Sequence, residues 1–343
     1  FPFYHQSQIN EIKKLQNNLI SKTQELEKQN GYLIEYLKDL NLLEKQGKNI
    51  FLPQLGESRI IESNSNNKYR FKKFYFFLSK PWQYNGRKPA GYIAKYEEKI
   101  FVLNGEGLIG YFDTNDLNTD TLKFNIVENN FKNIISQNSD IYIKGRASFR
   151  GIMFNNNNIY ISYYKKIKDG CYNIGILKAR FNFDLLNFNE FFSYEECSYN
   201  MSNHSGGKMV AYDNNNFLFT IGDGQLFINA QKDESFFGKI YKINFENSNY
   251  KLIAKGMRDS QGAYWYEKSK SLILTEHGPK GGDEININHK PFLKIKNFGW
   301  PISSYGEHYK KNYSKKKLKE APLNKSHKKF GFVEPLKYFV PSI

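Results

Sequence analysis

A histidine and an aspartate on two glycine-bounded loops are the side chains of this sequence best suited to proton transfer. His204 lies in the segment Asn203-His-Ser-Gly-Gly-Lys-Met209, just before a predicted strand, and Asp223 follows the next predicted strand in Ile221-Gly-Asp-Gly224. Histidine changes its charge near neutral pH and can take a proton during an oxidation, and a carboxylate bonded to its ring decides which nitrogen is the base. Taken alone, a structural histidine and an ordinary turn aspartate are the simpler interpretations.

An arginine on a third glycine-bounded loop adds an anion-binding group. Arg258 stands in Gly256-Met-Arg-Asp-Ser-Gln-Gly262. A guanidinium can hold a carboxylate or a quinone oxygen in bidentate fashion. The alternative interpretation is a surface arginine.

The segment Glu276-His-Gly-Pro-Lys-Gly-Gly-Asp-Glu-Ile-Asn286 predicts a cation site. Gly-Pro and Gly-Gly form tight turns that direct backbone carbonyls outward, and Asp283 and Glu284 add carboxylates beside them. Oxygen ligands on an irregular loop suit a hard cation such as calcium. For this loop alone, a surface turn with two solvated acids is the alternative.

The part of the chain that must position these loops has the pattern of short β-strands. From about residue 70 onward, short β-branched and aromatic runs are bounded by Asn, Asp and Gly, and no long helical pattern intervenes. This stretch is too long for one sandwich and fits a propeller of roughly 40–50 residues per blade. The clearest predicted strands are Phe71–Leu78, Lys99–Leu103, Ile141–Ile143, Ile159–Tyr164, Ile174–Phe181, Phe217–Ile221, Lys239–Ile243 and Ser271–Thr275.

The N-terminal region has a different pattern, that of a coiled coil. Over residues 8–46, apolar residues recur at alternating steps of three and four, which favours a homo-oligomeric coiled coil over one amphipathic helix packed on the next domain. We therefore predict a stalk over residues 1–50, a linker over residues 51–69 and a propeller over residues 70–343. The seam positions are Ile12, Leu15, Leu19, Lys22, Leu26, Gln29, Leu33, Tyr36, Leu40 and Leu43.

Composition narrows the classes of function. The net charge of +16 raises the hypothesis of nucleic-acid binding. The combined richness in Lys, Asn, Ile, Phe and Tyr is, however, typical of an AT-rich genome, and the densest basic run, within residues 310–319, is predicted to be a solvated loop. No apolar run is long enough to span a membrane, and no GxGxxG, P-loop or HExxH motif is present. We expect no nucleic-acid partner.

The two cysteines, Cys171 and Cys197, lie beside predicted strands. Their spacing does not fit a zinc site. A disulfide in an oxidising compartment and two buried free thiols both remain open.

Taken together and in this order, the three loops resemble those of the soluble PQQ-dependent glucose/sorbosone dehydrogenases, also called aldose sugar dehydrogenases. The resemblance covers roughly residues 70–343 and extends to Asn297-Phe-Gly-Trp-Pro301, Ser304-Tyr-Gly306, Ser148-Phe-Arg-Gly-Ile-Met-Phe154 and the ending Glu334–Ile343. It implies a six-bladed β-propeller that carries a quinone on top. The chain stops at Ile343, before the late-blade Lys and Arg residues that grip the quinone carboxylates in the family, so we expect a C-terminally incomplete propeller.

The resemblance implies a role for each matching residue. His204 would be the general base that takes the proton of the sugar C1 hydroxyl as hydride passes to PQQ, Asp223 would support it, and Arg258 would contact the quinone. The implied metal ligands are the backbone oxygens of Gly278 and Pro279 for the calcium that binds PQQ, and Glu284, with Asp283 and the backbone near Phe298, for a second, structural calcium.

This chain departs from the family at several positions. Asp259 replaces an asparagine in the cofactor pocket, Arg146 stands for a glutamine there, and Lys208 replaces a common arginine. An acid at 259 would face an anionic cofactor, which is unfavourable unless calcium offsets it. These departures motivate the alternative of a non-catalytic, calcium-binding propeller that serves as an interaction module and has lost the cofactor.

The enzyme hypothesis also implies partners and a location. We expect a small sugar substrate, an external electron acceptor, and a periplasmic or other extracytoplasmic site. The sequence begins at Phe1 rather than Met, which fits a fragment or a processed form. A segment upstream of residue 1 that anchors the protein in a membrane is one hypothesis consistent with this first residue.

Overall fold

The computed structural model describes residues 15–24, 50–51, 54–62, 68–75, 91–104, 107–120, 122–131, 133–134, 149–201, 204–309 and 313–340. Most of the regular structure in these residues is β-strand, arranged in four larger sheets and one two-stranded sheet. Helices α1 (residues 15–24) and α2 (Lys315–Glu320) are short. No helix among these residues has the length and apolar character needed to cross a membrane.

Each of the four larger sheets contains a four-stranded antiparallel meander, which we call a blade. Blade 1 consists of β4 (Gly91–Tyr96), β5 (Lys99–Asn104), β6 (Ile109–Asp113) and β7 (Phe124–Asn129), with β1 (Ile50–Phe51) and β11 (Leu185–Leu186) paired to β7. Blade 2 consists of β8 (Phe149–Asn155), β9 (Asn158–Lys168), β10 (Cys171–Arg180) and β12 (Asn189–Phe192). Blade 3 consists of β13 (Gly206–Ala211), β14 (Asn216–Ile221), β15 (Lys239–Asn244) and β16 (Tyr250–Lys255), with β20 (Lys296–Asn297) added in parallel to β16. Blade 4 consists of β17 (Ser260–Tyr266), β18 (Ser271–Glu276), β19 (Asp283–His289) and β21 (Lys337–Phe339).

The first strands of the four blades surround a common axis. β4 contacts β8, β8 contacts β13, and β13 contacts β17, while each blade continues outward from its first strand. Radial repetition of four-stranded meanders is the arrangement of a β-propeller. The all-β propeller prediction is therefore confirmed for four blades, and the total of six blades remains a prediction.

Large aromatic side chains fill the spaces between blades. Between blades 2 and 3, Tyr160, Phe217 and Phe219 are buried in one cluster, and between blades 1 and 2, Phe101 and Phe149 are buried in another. Burial of one such side chain contributes about 1.5–3 kcal/mol. The aromatic-rich composition thus supplies the packing that fixes neighbouring blades against one another.

Local turn chemistry agrees with the sequence pattern. Asn156 and Asn157 join β8 to β9 with φ of 44° and 57°, the left-handed conformation that two-residue hairpins require and that Asn tolerates. Asp213 Oδ1 accepts the backbone N–H groups of Asn215 and Asn216 at the turn between β13 and β14. Both turns lie at the Asn- and Asp-rich boundaries of predicted strands.

Two predicted irregular segments contain regular structure. Within the predicted linker, β2 (Gln54–Glu62) pairs with β3 (Lys68–Tyr75) in the two-stranded sheet, because the run Arg59-Ile60-Ile61 has β-branched residues that favour a strand. The predicted solvated loop near residues 310–319 contains α2, which Ser314 caps by accepting the N–H of Lys317. The predicted strand Ile141–Ile143 lies outside the described residues.

The predicted coiled coil is only partly within the described residues. Helix α1 covers three seam positions, Leu15, Leu19 and Lys22, and the side chains of Leu15 and Leu19 are 64% and 69% exposed. The remainder of residues 8–46 is not described, so the coiled coil and the oligomer remain predictions.

The two cysteines form a disulfide. Cys171 and Cys197 have their Cα atoms 5.5 Å apart and close a loop of 26 residues around β10 and β12. The structure thus decides between the disulfide and the free thiols that the sequence left open.

Candidate functional site

The predicted functional loops lie at the same end of blades 3 and 4. The His204 loop leads into β13 and Asp223 follows β14, while the Arg258 loop leads into β17 and Glu276 ends β18. Because neighbouring strands in a blade are antiparallel, the start of one strand and the end of the next share an edge. Loops that are far apart in the sequence therefore converge on one face, which we call the loop face.

A buried carboxylate orients the imidazole of His204. Asp223 Oδ1 lies 2.6 Å from His204 Nδ1, and Asp223 Oδ2 accepts the indole N–H of Trp300 at 2.6 Å. Asp223 is fully buried and His204 is 8% exposed. With each oxygen held by a different partner, the carboxylate cannot turn away from the ring. Asp223 thus has the place predicted for it, whereas the contact with Trp300, 77 residues further along the chain, was not predicted.

Arg258 determines which nitrogen of His204 can act as a base. Its Nη2 lies 2.8 Å from His204 Nε2, and its Nη1 donates to the carbonyl of His277 at 2.5 Å. A guanidinium has only N–H donors, so Nε2 must be the acceptor and Nδ1 must carry the proton donated to Asp223. The free lone pair of the imidazole therefore lies on Nε2. The resemblance placed Arg258 against the quinone, and the structure places it against the imidazole.

Glu276 holds the Arg258 loop in place. Its buried carboxylate accepts the backbone N–H of Arg258 at 2.6 Å, the backbone N–H of Asp259, and the hydroxyl of Ser260 at 2.6 Å. Burial raises the pKa of Glu276 to about 8. Sequence reasoning missed this role. The available signal was its position as the last strand residue before the Gly-Pro turn.

The close approach of the two loops requires a glycine beside His204. A Cβ atom at Gly222 would overlap the backbone carbonyl of His204. Because Gly222 has no side chain, the two loops can come this close. Its backbone N–H donates to the carbonyl of Ser205 at 3.0 Å. This contact lets the end of β14 pass directly under the histidine loop.

A small cavity lies beside the predicted calcium ligands. Its free volume is about 10 Å³, roughly the room of one water-sized sphere. Four of the five predicted metal residues line it, namely Gly278, Pro279, Glu284 and Phe298. Asn286 also lines it, and its buried Oδ1 has no hydrogen-bond partner among the described residues.

The donor set of this cavity fits a calcium ion held mainly by neutral oxygens. Among the described residues, no group of three or more His, Cys, Asp or Glu side chains is arranged to hold a metal. Glu284 would supply one carboxylate, and the unpartnered amide oxygen of Asn286 and backbone carbonyls would supply the rest, as calcium sites allow. Pro279 keeps a free lone pair after accepting the N–H of Gly282 at 2.9 Å.

Asp283, the fifth predicted metal residue, does not line this cavity. Its Oδ1 accepts the backbone N–H of Gly278 at 2.9 Å and lies 3.1 Å from His277 Nδ1. It therefore shapes the Gly-Pro turn. Glu284 also has a partner that the sequence did not indicate, because His327 Nε2 lies 3.2 Å from its Oε1.

The predicted cofactor residues have different placements. Asp259 is fully buried, and its two oxygens accept the N–H of Gly206 at 2.9 Å and of Gln261 Nε2 at 2.7 Å. It thus ties the histidine loop to the arginine loop. Arg146 lies outside the described residues. Lys208 lies on β13.

Comparison with known proteins places this site in a family. The family model described as glucose / sorbosone dehydrogenase matches residues 122–343, about two thirds of the chain. The aldose sugar dehydrogenase of Escherichia coli (strain K12) is 30% identical over 179 residues, which cover 48% of this chain and 46% of that protein. An uncharacterized protein of Synechocystis is 29% identical over 163 residues, or 41% and 37% of the two chains. The chain thus spans less than half the length of these curated relatives.

Solved structures show the same fold. The soluble aldose sugar dehydrogenase from Escherichia coli in the apo-form has a TM-score of 0.55 at 20% identity, covering 74% of this chain and 72% of that one. The PQQ-bound aldose sugar dehydrogenase from Streptomyces coelicolor has a TM-score of 0.50 at 16% identity, covering 74% and 68%. With the family match over residues 122–343, the chain belongs to the glucose/sorbosone dehydrogenase family.

Proposed function

We propose that this chain carries the catalytic face of a quinoprotein that oxidises the C1 hydroxyl of an aldose sugar. The observation that carries the proposal is the continuous hydrogen-bonded series of Trp300, Asp223, His204 and Arg258 on the loop face. Family membership supports it, as do the names of an aldose sugar dehydrogenase relative and of a PQQ-bound structure with the same fold.

In the proposed reaction, His204 takes the proton of the sugar hydroxyl at Nε2. Asp223 keeps the Nδ1 proton in place and stabilises the imidazolium that forms. When bound, PQQ supplies the oxidising group that accepts the hydride from C1. Arg258 must release Nε2 to admit the hydroxyl, and its contact with the His277 carbonyl keeps the guanidinium close as it does so.

The residues present fit an anionic quinone. Arg258 Nε is buried and has no hydrogen-bond partner among the described residues, so one donor remains for a ligand. Its guanidinium lies 5.3 Å from the ring centre of Trp300, which limits its movement. Both oxygens of Asp259 already accept hydrogen bonds. These bonds lessen the repulsion expected between this carboxylate and an anionic cofactor.

The proposed cofactor set includes calcium. The backbone oxygens of Gly278, Pro279 and Phe298, with Glu284 and Asn286, line one cavity with room for a single ion, so they would hold one calcium ion instead of the two that the resemblance implies. Asp283 contributes by fixing the turn that carries the first two carbonyls.

The proposed setting is extracytoplasmic, with an external electron acceptor as the redox partner. The Cys171–Cys197 disulfide supports an oxidising compartment.

Reconstitution tests the proposal. Protein loaded with PQQ and calcium should reduce an artificial electron acceptor when an aldose is added. His204→Gln should lower kcat about 10²–10⁴-fold, because general base catalysis contributes about that factor. His289→Gln is the matched control, since His289 Nδ1 lies 3.0 Å from the hydroxyl of Ser271 at the start of β18, the opposite end of that strand from Glu276.

Two results would contradict the proposal. One is a folded, cofactor-loaded protein that oxidises no aldose. The other is a folded protein that binds calcium but not PQQ in equilibrium titration, which would support the non-catalytic interaction module instead.

A further inference from the structure

Side chains from all four described blades meet on the propeller axis. Tyr92 lies on β4, Arg150 on β8 and Lys208 on β13, and Asp259 immediately precedes β17. Lys208 Nζ lies 4.1 Å from the ring centre of Tyr92 and donates to the Arg150 carbonyl at 2.8 Å. A lysine of blade 3 that touches the first strand of blade 1 must extend into the central channel.

Neither cation of this cluster forms a salt bridge within the part of the chain that the structure describes. The Arg150 guanidinium packs 5.7 Å from the ring centre of Tyr164, and its Nε is buried without a hydrogen-bond partner among the described residues. Within the same part of the chain, Lys208 has a carbonyl and an aromatic ring as partners, neither of which carries charge. Burying a charge without a partner is costly, so this arrangement favours the entry of an anion.

Asp259 does not neutralise the pair. Its two oxygens are engaged by Gly206 and Gln261, and it supplies one negative charge against two positive ones. Burial, and then the charge of Arg150, lower the pKa of Lys208 to about 8. At neutral pH Lys208 therefore keeps its proton, and the cluster has a net positive charge.

We propose that Arg150 and Lys208 form a carboxylate-binding site in the central channel. A planar guanidinium with a free donor, next to a compact ammonium, matches the two oxygens of a carboxylate. The carboxylate has two candidate sources, a carboxylate of PQQ or a free carboxylic acid such as a sugar acid. The first source rests on the proposed function, and the second is independent of it.

Isothermal titration with two probes, PQQ and gluconate, tests this site at neutral pH. Arg150→Gln and Lys208→Gln should each weaken binding of the recognised probe about tenfold or more, since a hydrogen bond to a charged group contributes about 1.5–3 kcal/mol. Arg150→Lys, which keeps the charge but loses the planar fork, should weaken it less. Lys178→Gln is the matched control, because Lys178 also lies on a strand beside an aromatic ring and a backbone carbonyl, 5.5 Å from the Tyr160 ring centre, but in blade 2 away from the axis.

The outcomes separate the two sources and the two proposals. Arg150-dependent binding of PQQ identifies a cofactor carboxylate, and Arg150-dependent binding of gluconate alone identifies a free acid. Binding of neither probe by the wild-type protein, or wild-type affinity in variants whose thermal unfolding shows them folded, would overturn the site. Arg150-dependent PQQ binding without sugar oxidation would contradict the proposed function and leave the site standing.

Discussion

At the scale of single residues, the proposed chemistry depends on how firmly the imidazole of His204 is oriented. Asp223 can do this because Trp300 occupies its second oxygen. A buried carboxylate that lost this donor would have an unsatisfied oxygen and freedom to rotate. Trp300 is therefore a positioning residue that acts through Asp223.

Trp300→Phe is expected to reduce turnover while keeping the ring. Removing the indole N–H should lower kcat about 10–100-fold, the equivalent of about 1.5–3 kcal/mol for a hydrogen bond to a charged group. Steady-state kinetics and nitrogen NMR of the His204 tautomer check this in the cofactor-loaded protein. Trp265→Phe is the control, since Trp265 donates to Glu267 outside the site. Unchanged kcat and tautomer in folded Trp300→Phe would show that Asp223 needs no second partner.

A second residue-scale prediction concerns Lys239, which is fully buried at the start of β15. Its Nζ donates to the carbonyls of Asn229 and Phe237 at 2.7 and 2.8 Å, and burial, the largest cause, lowers its pKa to about 8. Between this pKa and the ordinary value of 10.5, the unfolded chain holds a proton that the folded chain has lost. Raising the pH through that window therefore stabilises the fold, and this stability is lost again as the pH falls towards 8.

Lys239→Met should remove this increment. Relative to the variant, the wild-type free energy of unfolding should rise by about 2 kcal/mol between pH 8 and pH 9.5, since each pKa unit is worth about 1.4 kcal/mol. Urea denaturation at the two pH values measures it. Lys251→Met, on the exposed part of β16, should follow the wild type. Parallel pH profiles for wild type and Lys239→Met would contradict the prediction.

At the scale of elements, the antiparallel order of blades 3 and 4 brings the functional loops together. The same order places the Gly278–Gly282 turn beside Glu284 and Asn286, and the buried amide oxygen of Asn286 has no hydrogen-bond partner among the described residues. A cation there would join the loop after β18 to the strand β19. We therefore expect calcium to stabilise blade 4.

Calcium should raise the melting temperature of the wild-type protein, and a chelator should reverse the change. At about a hundred times Kd the gain is about 2.7 kcal/mol. Glu284→Gln should abolish it, because the variant loses the carboxylate beside Asn286, whereas Glu276, which also lines the cavity, is engaged by Arg258, Asp259 and Ser260. Glu190→Gln, which removes a carboxylate paired with Lys165 in blade 2, is the control. A wild-type melting temperature that changes with neither calcium nor chelator would rule out the site.

At the scale of the whole molecule, the heptad pattern of residues 8–46 predicts self-association through the N-terminal region. The exposed Leu15 and Leu19 on α1 are the kind of apolar surface that a second copy would cover. This feature is independent of the loop face, because the family match begins at residue 122.

Sedimentation of the full chain and of a variant lacking residues 1–46, which leaves β1 in place, tests this prediction. The full chain should sediment as an oligomer, and the shortened chain should be monomeric with an unchanged thermal transition of the propeller. A monomeric full chain at high micromolar concentration would contradict the coiled coil.

Sequence reasoning determined the all-β type of fold and supplied the candidate site residues. Short aromatic and β-branched runs with Asn-rich turns predict strands because their period and turn chemistry are local properties. His204, Asp223 and Arg258 became candidate site residues only when their three loops were taken together, because that combination resembles a known family while each motif alone has a simpler structural interpretation.

Only the tertiary structure decided the contacts among these residues. Four kinds of contact join segments that lie 5 to 77 residues apart. They are the hydrogen bond from Trp300 to Asp223, those from the Arg258 loop to Glu276, that from Gly278 to Asp283, and that from Lys208 to the Arg150 carbonyl. Most of these pairings depend on how the strands and blades pack together. That packing is determined by the burial of residues far apart in the sequence, so no local pattern predicts it. The same packing brought Cys171 and Cys197 within bonding distance, a choice that their spacing left open.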